Sequence, residues 1–569
     1  MSLEQFSQAH RSTIIITILC IAAVLRLAFL SHGQVLGDEP LYSVRSIGWV
    51  DTLGSILQTT PLQWFETPPW WTKLSFHDHP PLTFAINHIF FKLFGDTIFV
   101  SRLASALFGV ANVLLIYVIA KKILQKETPS LLASALFAAN DFAIFFARTA
   151  MMESLTMFFI LLALFLFLKS LDSPSFLPWF GVALGLSILA KYVALVTLPL
   201  YFLVFLFFRR SWLKQSSFYL ALALFFIVIS PVVTYNIYLY QTVHHFDLQL
   251  AFLFGQDTPE WQELIGKEQR GDIMKRIRDT AAFIFYISPL ISLLSIAGFL
   301  LGCVQIARTK EKTPQDVTLL LLTCGYALFP LLVGGLGRFL YYLLPFVVLF
   351  AAWFLVNIIP QTSKWAAPVY SIVLLYEVFF GANTTVVAAT RPPLGWTNVT
   401  YTSRLVLEDY AMAELDNYLD VRLLPYHSGL QPETNIPTIN KVIAASLERT
   451  KDRPTQRILL AYDNRFDIRV MLWTFARRSF YEGWPVKAVG DSVSFLETLY
   501  PDTRVYYVQS MSGAPRKSNP SRFDFEALGA SFETDYWPTV IYNNDGDPVF
   551  KIFELPLSVF KEQVSSLAL

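Results

Sequence analysis

Residues 97–120 read TIFVSRLASALFGVANVLLIYVIA, and Lys121-Lys122 follow at once. A run of that length, helical at 1.5 Å per residue, crosses a hydrocarbon core of about 30 Å. One such run could be a buried core helix, but here the pattern repeats. Apolar stretches recur over residues 12–31, 97–120, 131–147, 153–168, 177–190, 193–208, 217–236, 282–304, 317–336, 340–358 and 365–382. The sequence therefore predicts an all-α polytopic membrane domain of about eleven transmembrane helices over residues 1–383. Composition agrees: 54% of the 569 residues are hydrophobic and only 15% are charged, where a soluble domain carries roughly 25%. Phe (50), Tyr (25) and Trp (13) are abundant, as lipid-facing helices with aromatic belts require. A net charge of +1 argues against a nucleic-acid partner. The three cysteines, Cys20, Cys303 and Cys324, each lie inside an apolar run and suggest no disulfide framework.

Placing the N-terminus in the cytoplasm puts every basic loop cluster on one side: Lys121/Lys122/Lys126, Lys169, Arg209/Arg210/Lys214, Arg308/Lys310/Lys312 and Lys364. Loops 32–96 and 237–281 and residues 384–569 then fall on the extracytosolic side. The last segment has a different character. Short apolar runs at 457–462 (RILLAY) and 504–509 (RVYYVQ) alternate with helix-like stretches around 407–420, 466–480 and 492–500. This predicts a soluble extracytosolic α/β domain. Asn543-Asn544-Asp545-Gly546, ahead of Val549–Phe553, predicts a terminal hairpin. Asn383 and Asn398 open N-glycosylation patterns on that side.

Ionisable residues near membrane depth cost about 2.5–3.5 kcal/mol at a helix centre, so each needs a reason. Asp38-Glu39, Asp78, Arg102, Arg148, Glu153, Lys191 and Arg338 all fall at the extracytosolic ends of apolar runs. Acids and bases from six segments thus share one membrane level. Such a set can activate an acceptor while holding an anionic, lipid-borne donor. Asp38 and Glu39 read either as a solvated loop start or as a general base. Glu153 reads as an acid of the site or as the partner of Arg148 closing a helical hairpin. Lys191 and Arg338 read as interfacial anchors or as phosphate ligands, while Arg102 reads as structural. His77-Asp78-His79 offers a metal reading, which needs further ligands such as His244 or His245; otherwise Pro80-Pro81 fixes the backbone that aims Asp78 and His79. No cofactor is firmly implied, and a divalent metal is one option for the carboxylates.

Taken in order, Gly37-Asp-Glu-Pro-Leu-Tyr42, His79-Pro-Pro-Leu82, Ser101-Arg-Leu-Ala-Ser-Ala-Leu-Phe-Gly109, Ala147-Arg-Thr-Ala-Met-Met-Glu153, Gly185-Leu-Ser-Ile-Leu-Ala-Lys191 and Arg338 with Tyr342-Leu-Leu-Pro345 resemble the GT-C glycosyltransferases. The branch resembled contains the protein O-mannosyltransferases and the aminoarabinose transferase of lipid A. The resemblance spans roughly residues 10–380. It implies a sugar donor on a polyprenyl phosphate and inverting transfer, on the extracytosolic face, to a protein, lipid or cell-wall glycan acceptor. It also implies that Asp38, Glu39, Asp78 and Glu153 carry the acid–base work. His79, Arg148, Lys191, Arg338 and Tyr342 are then donor and phosphate contacts. Two departures leave the acceptor open. Pro40-Leu41 and His79 stand where the aminoarabinose transferase has basic residues, and loop 237–281 is too short for the β-trefoil insertion of eukaryotic protein O-mannosyltransferases. A transporter or flippase of lipid-linked sugars is the alternative. It favours internal repeats and helices broken at the bilayer midplane, whereas no convincing repeat is seen and the ionisable residues cluster at one face instead of the middle.

Overall fold

The computed structural model describes residues 2–32, 35–52, 59–256, 258, 272–281, 287–309, 312–333, 337–381, 410–432, 434–489, 494–517 and 523–567. The expected boundary near 383 and both glycosylation patterns lie outside the described residues.

The chain is a multi-pass membrane protein. Among the described residues six helical runs are long and apolar enough to cross a membrane: Ile98–Leu124, Glu153–Ser170, Ser216–Val243, Pro289–Arg308, Pro314–Val333 and Gly337–Ile358. Two bent pairs, Leu3–Ala9 with Arg11–Leu27 and Glu127–Ala139 with Asp141–Ala147, raise this to eight. Leu82–Phe94, Pro174–Ala190, Tyr192–Phe208 and Ala366–Phe379 are shorter apolar helices. The apolar runs thus do not all become uninterrupted spans.

The stretch expected as one span over 131–147 turns by 59°. Asn140 is extended there, and its side chain accepts from the Ala143 amide at 3.2 Å, capping a new helix. The carbonyls left at the end of the preceding helix need donors. Arg26, fully buried on the first helix, supplies them, giving to Ala138 O at 2.9 Å and Phe137 O at 3.4 Å. Arg148 answers from the far side of the same bend, donating to the carbonyls of Leu25 (3.2 Å), Ala28 (2.6 Å) and Phe29 (3.2 Å) at the end of Arg11–Leu27. The helix Arg11–Leu27 and the bent pair Glu127–Ala139 with Asp141–Ala147 therefore each donate an arginine to the carbonyls that end the other. Gly109 lets them close up, because a Cβ there would lie 2.4 Å from the Ala147 Cβ and 3.2 Å from the Arg26 side chain.

Between the first two spans runs the amphipathic helix Asp38–Gly48. Asp38 and Glu39 occupy its first turn, where the helix dipole favours carboxylates. Pro40 sits where its missing N–H would have no partner anyway.

Among the described residues the C-terminal region contains seven strands: β1 (His427–Ser428), β2 (Thr455–Gln456), β3 (Ile458–Asp463), β4 (Val486–Val489), β5 (Arg504–Ser510), β6 (Thr539–Tyr542) and β7 (Pro548–Pro556). β1 and β2 pair by themselves, and the others form one sheet of order β4-β3-β5-β7-β6. β3 runs parallel to β4 and β5, and β7 antiparallel to β5 and β6. Buried on both faces, β3 and β5 read as continuous apolar runs, as central parallel strands do. The expected hairpin joins β6 to β7, with Gly546 at φ 85° in its turn. This region seats on the helices Asp38–Gly48 and Leu82–Phe94. Val44, Ile47 and Phe91 share an apolar cluster with Leu415, Trp473, Trp484 and Val508.

Candidate active site

Asp38 and Glu39 are neighbours with opposite surroundings. Glu39 is 2% exposed. Its carboxylate accepts from Arg102 Nε (2.8 Å) and Nη2 (3.2 Å), the Ala150 amide (2.8 Å) and the Leu36 amide (2.8 Å). Four donors saturate it and fix the start of the helix against two spans. The Asp38 side chain is 40% exposed and accepts from Arg338 Nη1 at 2.7 Å. The Tyr42 hydroxyl lies one turn along, 3.5 Å from Asp38 Oδ2 and 3.4 Å from His79 Nε2. Of the adjacent acids, Asp38 alone presents a carboxylate to an incoming molecule.

Behind Asp38 lies a second pair. Lys191 Nζ donates to Glu153 Oε1 at 2.6 Å, with both side chains buried. Lys191 sits at a break, extended (φ −166°, ψ 140°) between the helices Leu177–Ala190 and Tyr192–Val196, which aims its ammonium out of the helical register. Glu153 opens Glu153–Ser170, again at the favourable end of the dipole. The other Glu153 oxygen, Oε2, is buried without a hydrogen-bond partner among the described residues. Lys191, Arg338, Asp38 and Glu153 interact electrostatically, so the two pairs form one cluster. Tyr342 is buried beside Glu153, its ring stacked 6.1 Å from Tyr326. The arrangement can therefore hold an anionic group between two cations and place one exposed carboxylate beside it.

The triplet 77–79 is divided among partners. His77 gives its amide to Asp51 at 2.8 Å and its Nδ1 lies 2.7 Å from the same carboxylate. Asp78 accepts from Arg45 Nη1 at 2.7 Å, and Arg45 also donates to Thr52 O at 2.9 and 3.1 Å. Burial opposes the Asp78 charge, yet Arg45, His79 and His77 beside it hold the carboxyl well below its usual range. His79 Nδ1 is 3.1 Å from Asp78, and its ring meets Tyr42 edge-on at 5.3 Å. No group of three or more His, Cys, Asp or Glu placed to hold a metal occurs among the described residues. His245 turns its Nδ1 to Phe246 O at 2.7 Å.

Sequence reasoning collected Asp38, Glu153, Lys191, Arg338, Tyr342 and His79, and the structure brings them together. It separates Arg148 from them. The expected Arg148–Glu153 pairing is not made, because the carbonyls ending the first helix take the guanidinium and Lys191 takes Glu153. Two members, Arg45 and Asp51, went unread, because both stand in the polar segment between the first two long apolar runs where charge draws no notice, and Tyr42 enters only as the end of a motif, with no role. The one signal was position: Tyr42 and Arg45 stand four and seven residues after Asp38, on its helix face.

Residues 78–235 match the model of the family described as dolichyl-phosphate-mannose-protein mannosyltransferase. A putative mannosyltransferase, YkcB of Bacillus subtilis (strain 168), is 33% identical over 134 residues, 22% of this chain and 18% of that protein. The chain's match thus spans less than a fifth of that relative's length. The crystal structure of ArnT from Cupriavidus metallidurans bound to undecaprenyl phosphate is similar at a TM-score of 0.52, with 13% identity over 95% of this chain and 97% of that one. Archaeal oligosaccharyltransferase AglB from Archaeoglobus fulgidus, in complex with an inhibitory peptide and a dolichol-phosphate, is similar at 0.50, with 11% identity over 98% and 77%. At these identities the likeness is one of fold: the chain has the GT-C fold that its motifs resemble.

Proposed function

We propose that this GT-C chain is an integral membrane glycosyltransferase. It moves a sugar from a polyprenyl-phosphate carrier to an acceptor hydroxyl or amine on the extracytosolic face, with inversion at the anomeric carbon. The carrying observation is the exposed Asp38 carboxylate held against Arg338, with the Lys191–Glu153 pair behind it. Asp38 takes the acceptor proton as the acceptor atom attacks the anomeric carbon. The bond from that carbon to the phosphate oxygen breaks, and the leaving phosphate keeps the electron pair. Fixed cations aimed at that oxygen lower the barrier in a poorly hydrated site, and Arg338 and Lys191 are those cations. Arg338 then has two anionic suitors: an arriving donor phosphate draws it from Asp38 and leaves the carboxylate ready to act as base. Glu153 holds Lys191 in place, while Glu39, with Arg102, holds the helix that carries Asp38. Asp78 and His79 brace Tyr42 at the mouth of the site.

Three similarities support the donor class: the mannosyltransferase family model, ArnT bound to undecaprenyl phosphate, and AglB with dolichol-phosphate. The first of these favours a mannose-type hexose. The clustering of basic loops favours a cytoplasmic N-terminus, so that residues 384–569 form an extracytosolic domain beside the site.

The test is transfer of radiolabelled sugar from a panel of synthetic polyprenyl-phosphate sugars by wild type and Asp38→Asn, both checked for folding. Label leaving the carrier with wild type alone sustains the reading, and the reactive donor identifies the sugar. Equal rates in the two proteins would remove Asp38 from the chemistry. A folded wild type that releases label from no donor defeats the transferase reading and leaves flipping of lipid-linked sugars to be measured.

A further inference from the structure

At the opposite end of the Asp38–Gly48 helix, about 15 Å from Asp38 at 1.5 Å per residue, lies a cavity of about 570 Å³. It opens where Gly48 and the helix Leu82–Phe94 meet the C-terminal helix Pro437–Thr450. Its lining includes Lys92, Lys441, Arg449, His88 and Asp96: three fixed cations against one carboxylate. Neither Lys92 nor Lys441 has a hydrogen bond or ion pair among the described residues. Arg449 spends one nitrogen, Nη2, on Ser446 Oγ and Tyr481 O and keeps its other donors. His88 Nδ1 meets Ser46 O at 2.7 Å, which leaves Nε2 for the cavity. Burial pushes the Asp96 carboxyl up, against the pull of Arg477, Arg449, Lys92 and His88.

The surroundings narrow the ligand. Gly95, at φ 87°, ends Leu82–Phe94, and the Ile98–Leu124 span begins three residues later, so Lys92 and Asp96 stand at the membrane surface. On the same short helix Ile89 (55%), Leu93 (68%) and Phe94 (58%) are exposed apolar side chains, outside the polar lining. A cationic cavity at the membrane surface, flanked by an apolar ledge, fits a molecule with an anionic head and hydrocarbon tails. We propose that the cavity binds the phosphate of a membrane phospholipid headgroup, separately from the transfer site. Lys92, Lys441 and Arg449 give charge-assisted bonds to the phosphate, Asp96 accepts from a headgroup hydroxyl, and the acyl chains lie along Ile89, Leu93 and Phe94. Because Lys92 and Lys441 come from the two regions that meet here, the lipid fastens the C-terminal region to the membrane surface. This inference does not depend on the transferase reading.

The probe is phosphatidylglycerol, its retention by the delipidated full chain compared with that of phosphatidylcholine by native mass spectrometry. At roughly fivefold per juxtamembrane lysine, Lys92→Gln with Lys441→Gln weakens phosphatidylglycerol binding about 25-fold and abolishes the preference. Lys92→Arg with Lys441→Arg retains it. Equal phosphatidylglycerol binding by wild type and the glutamine pair, or loss of the preference in the arginine pair, overturns the proposal. Full displacement by inorganic phosphate at matched concentration also overturns it, since the site would then select a soluble anion.

Discussion

The Arg338 guanidinium lies 2.7 Å from the Asp38 carboxylate and joins two residues 300 positions apart in the chain. If Asp38 is the base and Arg338 a phosphate ligand, as proposed, the two start out bound to each other. Removing either partner should therefore affect the reaction in a different way. Asp38→Asn is expected to lower kcat by about 10²–10⁴-fold with donor KM little changed, the range of a lost general base. Arg338→Gln is expected to raise donor KM and to lower kcat/KM by about 10²–10³-fold, as loss of one stabilising donor does. Steady-state transfer assays over a donor series separate the two.

Glu39 and Asp38 should part company in stability. Glu39→Gln leaves buried Arg102 facing a neutral amide and is expected to cost about 3–5 kcal/mol, the penalty for stranding one partner of a buried pair. Asp38→Asn should fall within about 0.5 kcal/mol of wild type, as a half-exposed substitution does. Thermal unfolding of the two variants in one detergent decides this.

The Lys191–Glu153 pair offers a double-mutant cycle. Lys191→Met alone strands a buried carboxylate and should destabilise by about 3–5 kcal/mol. Adding Glu153→Gln should restore most of that loss, because no unpaired charge remains. Transfer should stay abolished in the double variant, which distinguishes a stability role for the pair from a role in holding the donor phosphate.

Acid should act through Asp78. Its folded-state carboxyl lies well below the ordinary value of 3.8, with Arg45 against it. The stability it contributes is fully present above that ordinary value and is lost as pH falls towards the depressed one. Wild type should therefore lose stability between about pH 5 and pH 2, and Asp78→Asn should show a flatter acid limb from a lower plateau. Tm measured across that range checks the sign.

Gly48 carries the contact between the two regions. A Cβ there would lie 2.3 Å from the Tyr481 ring, whose hydroxyl donates to Val44 O at 2.6 Å. Gly48→Ala should cost about 1–3 kcal/mol by overpacking, and Tyr481→Phe with Gly48→Ala should not fully recover it, because removing the hydroxyl, 2.7 Å from that Cβ, leaves the ring edge still 2.3 Å away. Differential scanning fluorimetry of the three proteins tests this.

The membrane architecture was legible because long apolar runs have few alternatives, and the candidate site was legible because charge at membrane depth is rare. What the sequence hid were matters of partnership. Arg148 stands five residues from Glu153 and looks like its mate, yet helix ends leave carbonyls that a buried guanidinium satisfies better. Arg26, inside the first apolar run, drew no attention although it fixes a 59° bend in another helix. Arg45 and Asp51 looked like ordinary loop polarity until folding buried them against Asp78 and His77. Strands β3 and β5 were found from their apolar runs, whereas their order in the sheet depends on crossovers that local pattern does not encode.

The capping of the first helix by Arg148 also has a meaning in time. The Ala28 carbonyl and the guanidinium that satisfies it are separated by 120 residues. At about 5–20 residues per second, a ribosome needs roughly 6–24 s to supply that donor. For that interval the carbonyl at the end of the first span lacks this donor. The residue that closes the third apolar segment then arrives as the missing stopper, so this contact of the membrane core has to wait on synthesis.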